Sequence, residues 1–441
     1  MLDPRFIREN KEVVLDSIRK KNSNVNLEEW FLVDEKRKKL QKILDEKRSI
    51  QNKTSAEISK AEGTDRSEKI SQMTLLKKEI KKIEKELKEV NDRWKSILME
   101  IPNIVSPDMP EGDSDKNNVV IKKWGKIPKF EFKPKEHHTI AKELDLIDTE
   151  KASEVSGSRF YYLKNELVLM QFALTMFAFE TLTSENIIKE IIDDNDLKLS
   201  SKPFVPMIPP VMIRNSVQKN IHRVFGEQTY SIQNEDLNLV ASAEHTLAPY
   251  HMNETLNEED LPKRYLGFST AFRREAGTYG KDMNGIFRCH QFDKSEMESF
   301  TTAETGADEQ KLIVALQEYL MQKLEIPYRL VHVCAGDTGK PDYDQYDIEA
   351  WLPGQGKYRE THTSDYMTDY QTRGINSFYK TKKGERRLLH TNDATAFAGR
   401  PLVAILENYQ KEDGSVVVPK VLRKWMPGKI GLIKRKNEDK N

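Results

Sequence analysis

The chain has 441 residues, with Lys plus Arg and Asp plus Glu both totalling 71. It therefore carries no net charge and no global field that would draw it to nucleic acid, so any such binding has to rest on a local patch. Its length has room for two or three domains and at least one large core, which excludes a small stapled module. Cys289 and Cys334 lie far apart, with no His/Cys cluster at zinc-ligand spacing beside them, which points to buried thiols in a reducing compartment. No window of about 18 apolar residues occurs. The start lacks both a signal-type apolar core and an Arg/Ser-rich transit composition, so the expectation is a soluble cytoplasmic protein with no membrane partner.

Taken in order, residues 4 to 22 predict a short amphipathic helix, with Asp3 and Pro4 as cap and first turn and Ile7, Val13, Val14 and Ile18 as its apolar side. From about Leu27 to Glu100 the sequence is charge-dense and free of proline. Met73, Leu76, Ile80, Ile83, Leu87, Val90, Trp94 and Ile97 step by three and four, the seam of a coiled coil. Val33, Leu40, Leu44, Ile50, Ile58 and Ala61 form a rougher stripe before the turn at Glu62 to Asp65. Two helices of roughly 30 residues make an antiparallel arm about 45 to 50 Å long, too thin to bury a globular core. By itself such a seam supports a spacer or a dimerisation coiled coil, and its interleaved charges read as a solvated face.

Proline-rich residues 101 to 135 read as a linker. Beyond it, Leu167 to Leu182 predicts a buried helix and Pro203 to Met212 an edge strand broken by prolines. Leu239 to Thr246 reads as a strand with Ser242 and Glu244 on one face. Phe272 to Glu298 predicts a hairpin whose polar loop holds Gly277, Gly280 and Gly285. Strand alternation places Arg273 with Glu275, and on the return strand Arg288, His290, Phe292, Lys294 and Glu296 together. On the residues alone this is either a solvated hairpin or a floor for a flat anionic ligand: guanidinium for phosphate, aromatic ring for a purine, carboxylate for an amine.

The order Phe272-Arg273-x-Glu275, loop, Arg288-x-x-x-Phe292 resembles motif 2 of class II aminoacyl-tRNA synthetases, and the continuation through Glu298 resembles its seryl-tRNA synthetase form. The helix and proline-rich strand at 167 to 212 are similar to motif 1, and Gly399-Arg400 before an apolar helix to motif 3. Asp347-Ile-Glu-Ala-Trp-Leu-Pro353, Glu360-Thr-His-Thr-Ser-Asp365 and Val418-Pro-Lys-Val-Leu-Arg423 also resemble stretches of the seryl family, in its order.

The resemblance implies an α+β fold, in which a mainly antiparallel sheet flanked by helices follows an amino-terminal two-helix coiled-coil arm. The implied domains are a tRNA-binding domain at 1–105 with its arm at about 27–100, a linker at 106–135 and a class II catalytic domain at 136–441. The implied ligase joins L-serine to serine tRNA, with selenocysteine tRNA as a further acceptor, using ATP and Mg²⁺. The homodimer forms through motif 1, and the arm holds the long variable arm of the tRNA.

The residues implied for catalysis are Arg273, Arg400 and Glu360. Those for ATP are Arg273, Arg274, Glu275, Cys289, Phe292, Glu360, Thr361, His362, Thr363 and Arg400. Glu360 and Thr363 are the implied Mg²⁺ ligands. Ser242, Ala243, Glu244, Arg273, Glu296, Asn392 and Thr395 are implied for serine, with Ala394 as the other register for the hydroxyl reader and the role of His362 open. Two other readings stay open here: a class II-like ligase that loads a carrier protein, and a non-catalytic coiled-coil RNA-binding scaffold.

Overall fold

A computed structural model describes residues 1–223, 226–275 and 285–435, and the chain divides into two compact units, 1–104 and 105–441. Gly277, Gly280 and the charged tail beyond Arg435 lie outside the described residues.

The first unit opens with α1 (Pro4–Glu9), where the Asp3 carboxylate accepts from Arg5 N at 2.7 Å. One helix was expected over residues 4 to 22, but Asn10 (φ −129°) interrupts it. The Asn10 N–H closes α1 onto Phe6 O, and α2 (Lys11–Lys20) starts afresh. Ile7, Val14 and Ile18 are buried, whereas Val13 faces solvent.

Helix α3 (Leu27–Ile58) is capped by Asn26, whose side chain accepts from Glu29 N, and α4 (Gly63–Glu100) returns antiparallel to it. Cross-helix pairs Lys36–Glu86 and Lys47–Glu79, at 2.8 and 2.6 Å, fix the sense of the pairing. Leu40, Leu44, Ile80, Leu87 and Val90 form the buried seam, with Val33, Leu76 and Ile83 packed on it. Ile50, expected in the stripe, is exposed, so the α3 stripe thins along the arm.

At the other end of the arm the Asp34 carboxylate is buried. Arg8 of α1 donates to both its oxygens at 2.7 and 2.9 Å, and Trp94 Nε1 of α4 donates to Oδ1 at 3.0 Å. Burial pushes this carboxyl up, but Arg8 and Lys38 outweigh it and leave it at about 2.

The second unit is built on an eight-stranded sheet. Its strands in chain order are β1 (Val119–Trp124), β2 (Val205–Met207), β3 (Lys263–Phe272), β4 (Gln291–Thr301), β5 (Tyr328–His332), β6 (Asp344–Leu352), β7 (Lys357–Thr368) and β8 (His390–Phe397). In space they run β1-β5-β6-β7-β8-β4-β3-β2, antiparallel except for the β2–β3 pair. The edge strand β1 lies inside the stretch expected to be linker, because the β-branched run Val119-Val120-Ile121 between the prolines favours extended pairing, here with β5. Strand β2 is the short edge strand the prolines allow.

Helices α5 (Asn165–Leu182), α6 (Gly306–Lys323) and α7 (Arg400–Asn408) supply Phe177, Leu312, Leu316, Leu402 and Ile405 to the main core. From the sheet come Leu266, Met297, Ile348, Ala350 and Ala394. Alternation along β4 and β8 then turns Phe292, Lys294, Glu296, Glu298, Asp393 and Thr395 to the opposite face. Both cysteines are free and buried, as expected. Among the described residues no single helix is long and apolar enough to cross a membrane.

Candidate active site

The β3–β4 hairpin ends sooner than alternation suggested. Phe272 pairs with Gln291 as the last rung, so Arg273, Glu275, Arg288 and His290 lie at the hairpin mouth and not on strand faces. One further bond, Arg273 N to His290 O at 2.9 Å, extends the ladder. Glu275 then takes φ +49°, a left-handed conformation no strand contains. His290 braces the mouth: its Nδ1 bonds Arg273 O at 2.9 Å and its ring lies 5.1 Å from that of Phe160. Gly285 has φ +75°, and a Cβ there would sit 2.1 Å from His137 Nε2, so no larger residue fits the return.

In front of this mouth a cleft encloses about 660 Å³, open solvent included. Arg273, Glu275, Arg288, Cys289, Phe292 and Lys294 line one side, and Glu360, Thr361, Thr363, Thr395, Gly399 and Arg400 the other. The Arg273 guanidinium lies 5.3 Å from the Phe292 ring, and its Nε donates to Ala241 O at 3.2 Å. Arg288 Nη1 stands 3.5 Å from Glu275 Oε2. Arg400 Nη1 donates to Glu360 Oε1 at 2.7 Å, and Thr363 Oγ1 lies 3.5 Å from that same oxygen.

Burial, then the neighbouring Arg400, pulls Arg273 below its ordinary value. Burial pushes Glu360 up, but Arg400 and Arg273 more than offset it and hold the carboxyl low. The cleft thus concentrates cationic groups that a bound polyanion would relieve. The Cys289 thiol is pushed up to about 12 by burial, so it stays protonated and the residue contributes shape and backbone.

Two residues expected on ATP stand elsewhere. Arg274 is exposed, with its backbone N–H on Gln228 O. His362 is wholly buried on the helix side of β7, its Nδ1 2.9 Å from Thr361 Oγ1 and its ring beside Phe397. A bulge between Ile348 and Glu349 shifts the register there, turning Glu360 and Thr363 to the cleft and His362 into the core. Burial takes the His362 imidazole down to about 3.

Behind Lys294, which lines the cleft, lies a group of buried carboxylates. Ser242, Ala243 and Glu244 were expected on a strand, yet the strand stops at Leu239, Ala243 is helical (φ −58°, ψ −29°) and Glu244 begins a one-turn helix. Ser242 Oγ accepts from Glu244 N at 3.4 Å, a local bond that competes with strand pairing. Glu244 and Glu296 are both buried, and Lys294 Nζ lies 2.6 Å from Glu296 Oε2 and 3.5 Å from Ser242 Oγ. Thr395 pairs with Glu296 across β8 and β4 and lines the cleft, whereas Ala394 faces the core. Asn392 does not join Thr395: three residues away, it faces α6 and donates to Gly306 O at 3.2 Å.

Sequence reasoning missed the buried neighbours of Glu244 and Glu296. Glu298 is fully buried, with no hydrogen-bond partner among the described residues for either carboxylate oxygen, and burial followed by Asp393 holds it well above the usual carboxylate range. Arg223 is buried too, bonded to Glu244, and Asp342, Asp365 and Asp393 surround its Nη2. The signal available was that Asp365 and Asp393 fall on inward positions of strands, where unpaired carboxylates demand a cation.

Comparison with known proteins agrees with this geometry. Residues 228–409 match the tRNA synthetase class II core domain (G, H, P, S and T), and residues 1–105 the seryl-tRNA synthetase N-terminal domain. The second unit is therefore a class II aminoacyl-tRNA synthetase core. The serine--tRNA ligase of Dictyoglomus turgidum is 40% identical over 433 residues, covering 97% of this chain and 98% of that one. That of Rubrobacter xylanophilus is 37% identical over 426 residues, covering 96% and 97%. Among solved structures, seryl-tRNA synthetase from Pyrococcus horikoshii complexed with ATP superimposes with a TM-score of 0.87 at 36% identity, over 99% of this chain and 100% of that one. The chain belongs to the seryl-tRNA synthetase family.

Proposed function

We propose that the protein activates L-serine with ATP and transfers the seryl group to the 3′ end of serine tRNA. The observation that carries the reading is one cleft lined by Arg273, Phe292, Glu360 and Arg400, with Lys294 joining it to the buried carboxylate of Glu296. This is a polyanion and purine site joined to an ammonium site. The serine carboxylate attacks the α-phosphorus of ATP in line and pyrophosphate leaves. The adenosine hydroxyl at the tRNA 3′ end then attacks the seryl carbonyl and AMP leaves. No protein nucleophile is needed, so catalysis is positioning and charge neutralisation.

In this reading Arg273 holds the α-phosphate, Arg400 the γ-phosphate and Phe292 the adenine face, with Glu275 and the backbone at Cys289 on its edge. Glu244 and Glu296 receive the ammonium and, with Thr395, the hydroxyl. A site that hydrogen-bonds a hydroxyl rejects the analogue lacking it by about 10⁴-fold, which is the means of refusing alanine. Among the described residues no three His, Cys, Asp or Glu side chains are grouped to hold a metal. The hard oxygens of Glu360 and Thr363 fit Mg²⁺ that takes its remaining ligands from phosphate and water, and when bound it supplies charge neutralisation on the phosphates.

Two partners complete the reading. The arm, α3 with α4, carries exposed Lys and Arg along its length and serves the tRNA. Phe172 and Met176 on α5, Val205 on β2 and Ile208 just after it are exposed apolar side chains, which a second copy of the chain would cover. Serine-dependent ATP–pyrophosphate exchange tests activation, and its absence would refute it. A chain with residues 48–78 replaced by a short turn should keep exchange and lose tRNA charging; unchanged charging would refute the role of the arm.

A further inference from the structure

Below the ammonium site the chain buries six carboxyl side chains, Glu244, Glu296, Glu298, Asp342, Asp365 and Asp393, and one guanidinium, Arg223, lies among them. Arg223 follows a short helix (Asn215–Asn220) and a left-handed His222, which turns its side chain inward. Its Nε bonds Glu244 Oε1. Its Nη2 stands 2.9 Å from Asp393 Oδ1, 3.4 Å from Asp342 Oδ1 and 3.6 Å from Asp365 Oδ2.

The same Glu244 oxygen, Oε1, receives a second donor, Gln371 Nε2, at 2.8 Å. Two donors from distant parts of the chain therefore grip one oxygen, and no side chain among the described residues bonds Oε2. A carboxylate held in this way has one oxygen committed and one presented.

We propose that Arg223 is a positioning residue for the amino-acid pocket, holding Glu244 by Oε1 so that Oε2 meets the substrate ammonium. The proposal rests on the seryl-activation reading above. Arg223 does not touch substrate; it acts through Glu244, with Gln371 as the second hand of the clamp. Its fork is what allows the grip, since Nε can serve Glu244 while Nη2 remains with the three aspartates. A lysine would keep the charge but lacks the rigid fork whose separate nitrogens reach Glu244 and the aspartates.

The test is a double-mutant cycle on the full-length protein, read by ATP–pyrophosphate exchange. Arg223→Lys should raise the KM for serine by about 10- to 100-fold, the range of a lost charge-assisted hydrogen bond, with the KM for ATP within about twofold of wild type. In a Glu244→Gln background the same change should add less than about threefold, because the two residues act as one unit. Gln371→Leu removes the other donor without stranding a charge and should also raise the serine KM, by about threefold to tenfold, which keeps the idea testable if Arg223→Lys folds poorly.

An unchanged serine KM in both Arg223→Lys and Gln371→Leu would overturn the proposal. So would parallel rises in the serine and ATP constants, or fully multiplicative effects in the cycle, which are the marks of a merely structural ion cluster. If wild type itself showed no serine-dependent exchange, the activity reading would fail and this proposal with it. Normal wild-type exchange with unshifted variants would overturn the positioning role alone.

Discussion

Replacing Arg273 with alanine isolates the electrostatic half of the site. Among the described residues the side chain makes one hydrogen bond, Nε to Ala241 O at 3.2 Å, and one cation–π contact, 5.3 Å from the Phe292 ring. Together these are worth about 1 to 2 kcal/mol. Its proximity to Arg400, which with burial depresses its pKa, works the other way. The net cost in stability is therefore at most about 2 kcal/mol, a Tm change of a few degrees.

The catalytic cost is larger. A preorganised donor aimed at charge that develops in the transition state is worth about 2.7 to 4 kcal/mol, a loss of 10²- to 10³-fold. Arg273→Ala should lower kcat for serine-dependent pyrophosphate exchange by that factor while tRNA binding, followed by filter retention, stays within about threefold of wild type. Exchange within about threefold of wild type would refute the phosphate assignment. So would loss of tRNA binding with normal exchange.

Three further outcomes follow from the geometry. His362 is buried with its pKa near 3 against an ordinary 6.5, so the unfolded chain binds the extra proton and stability falls as pH drops below 6.5. Between pH 7 and 5 this costs about 2 kcal/mol, and His362→Met should flatten that part of the curve in urea unfolding; an unchanged slope would contradict the burial argument. Leu87→Ala empties the middle of the arm seam beside Leu40 and Leu44, and should cost about 2 to 4 kcal/mol, seen as lost amide protection in α3 and α4 with pyrophosphate exchange intact. Glu360→Gln removes the carboxylate that Arg400 and the proposed Mg²⁺ share, and should raise the Mg²⁺ concentration for half-maximal exchange by about tenfold or more; an unmoved midpoint would remove Glu360 from the metal site.

The elements with a self-contained signal were legible in the sequence. The step of three and four from Met73 to Ile97 specifies its helix without outside help, and motif order grouped Arg273, Phe292, Glu360 and Arg400, which line one cleft. Alternation misled where something local ended the strand: left-handed Glu275 at the hairpin mouth, the Ser242 turn before Glu244, and the bulge that inverts His362. Asn392 and Thr395 show the rule working in reverse, since residues three apart on a strand with unbroken register cannot share a face. Arg223 was not legible, because it sits in irregular chain and its partner Asp393 lies 170 residues further on. Only the folded sheet brings the two together.

The buried Asp34 has a mechanical meaning. It gathers Arg8 from α1, Arg37 and Lys38 from α3 and Trp94 from α4 at one point near the root of the arm. An arm of 32 residues is about 48 Å long, so it is a lever, and each degree of angular play at its root moves the tip by about 0.8 Å. For the tRNA-holding role proposed for the arm, placing the tip to within a hydrogen-bond length leaves an allowance of only a few degrees. One carboxylate with four donors is thus a bearing, and the accuracy of the far end is set at Asp34.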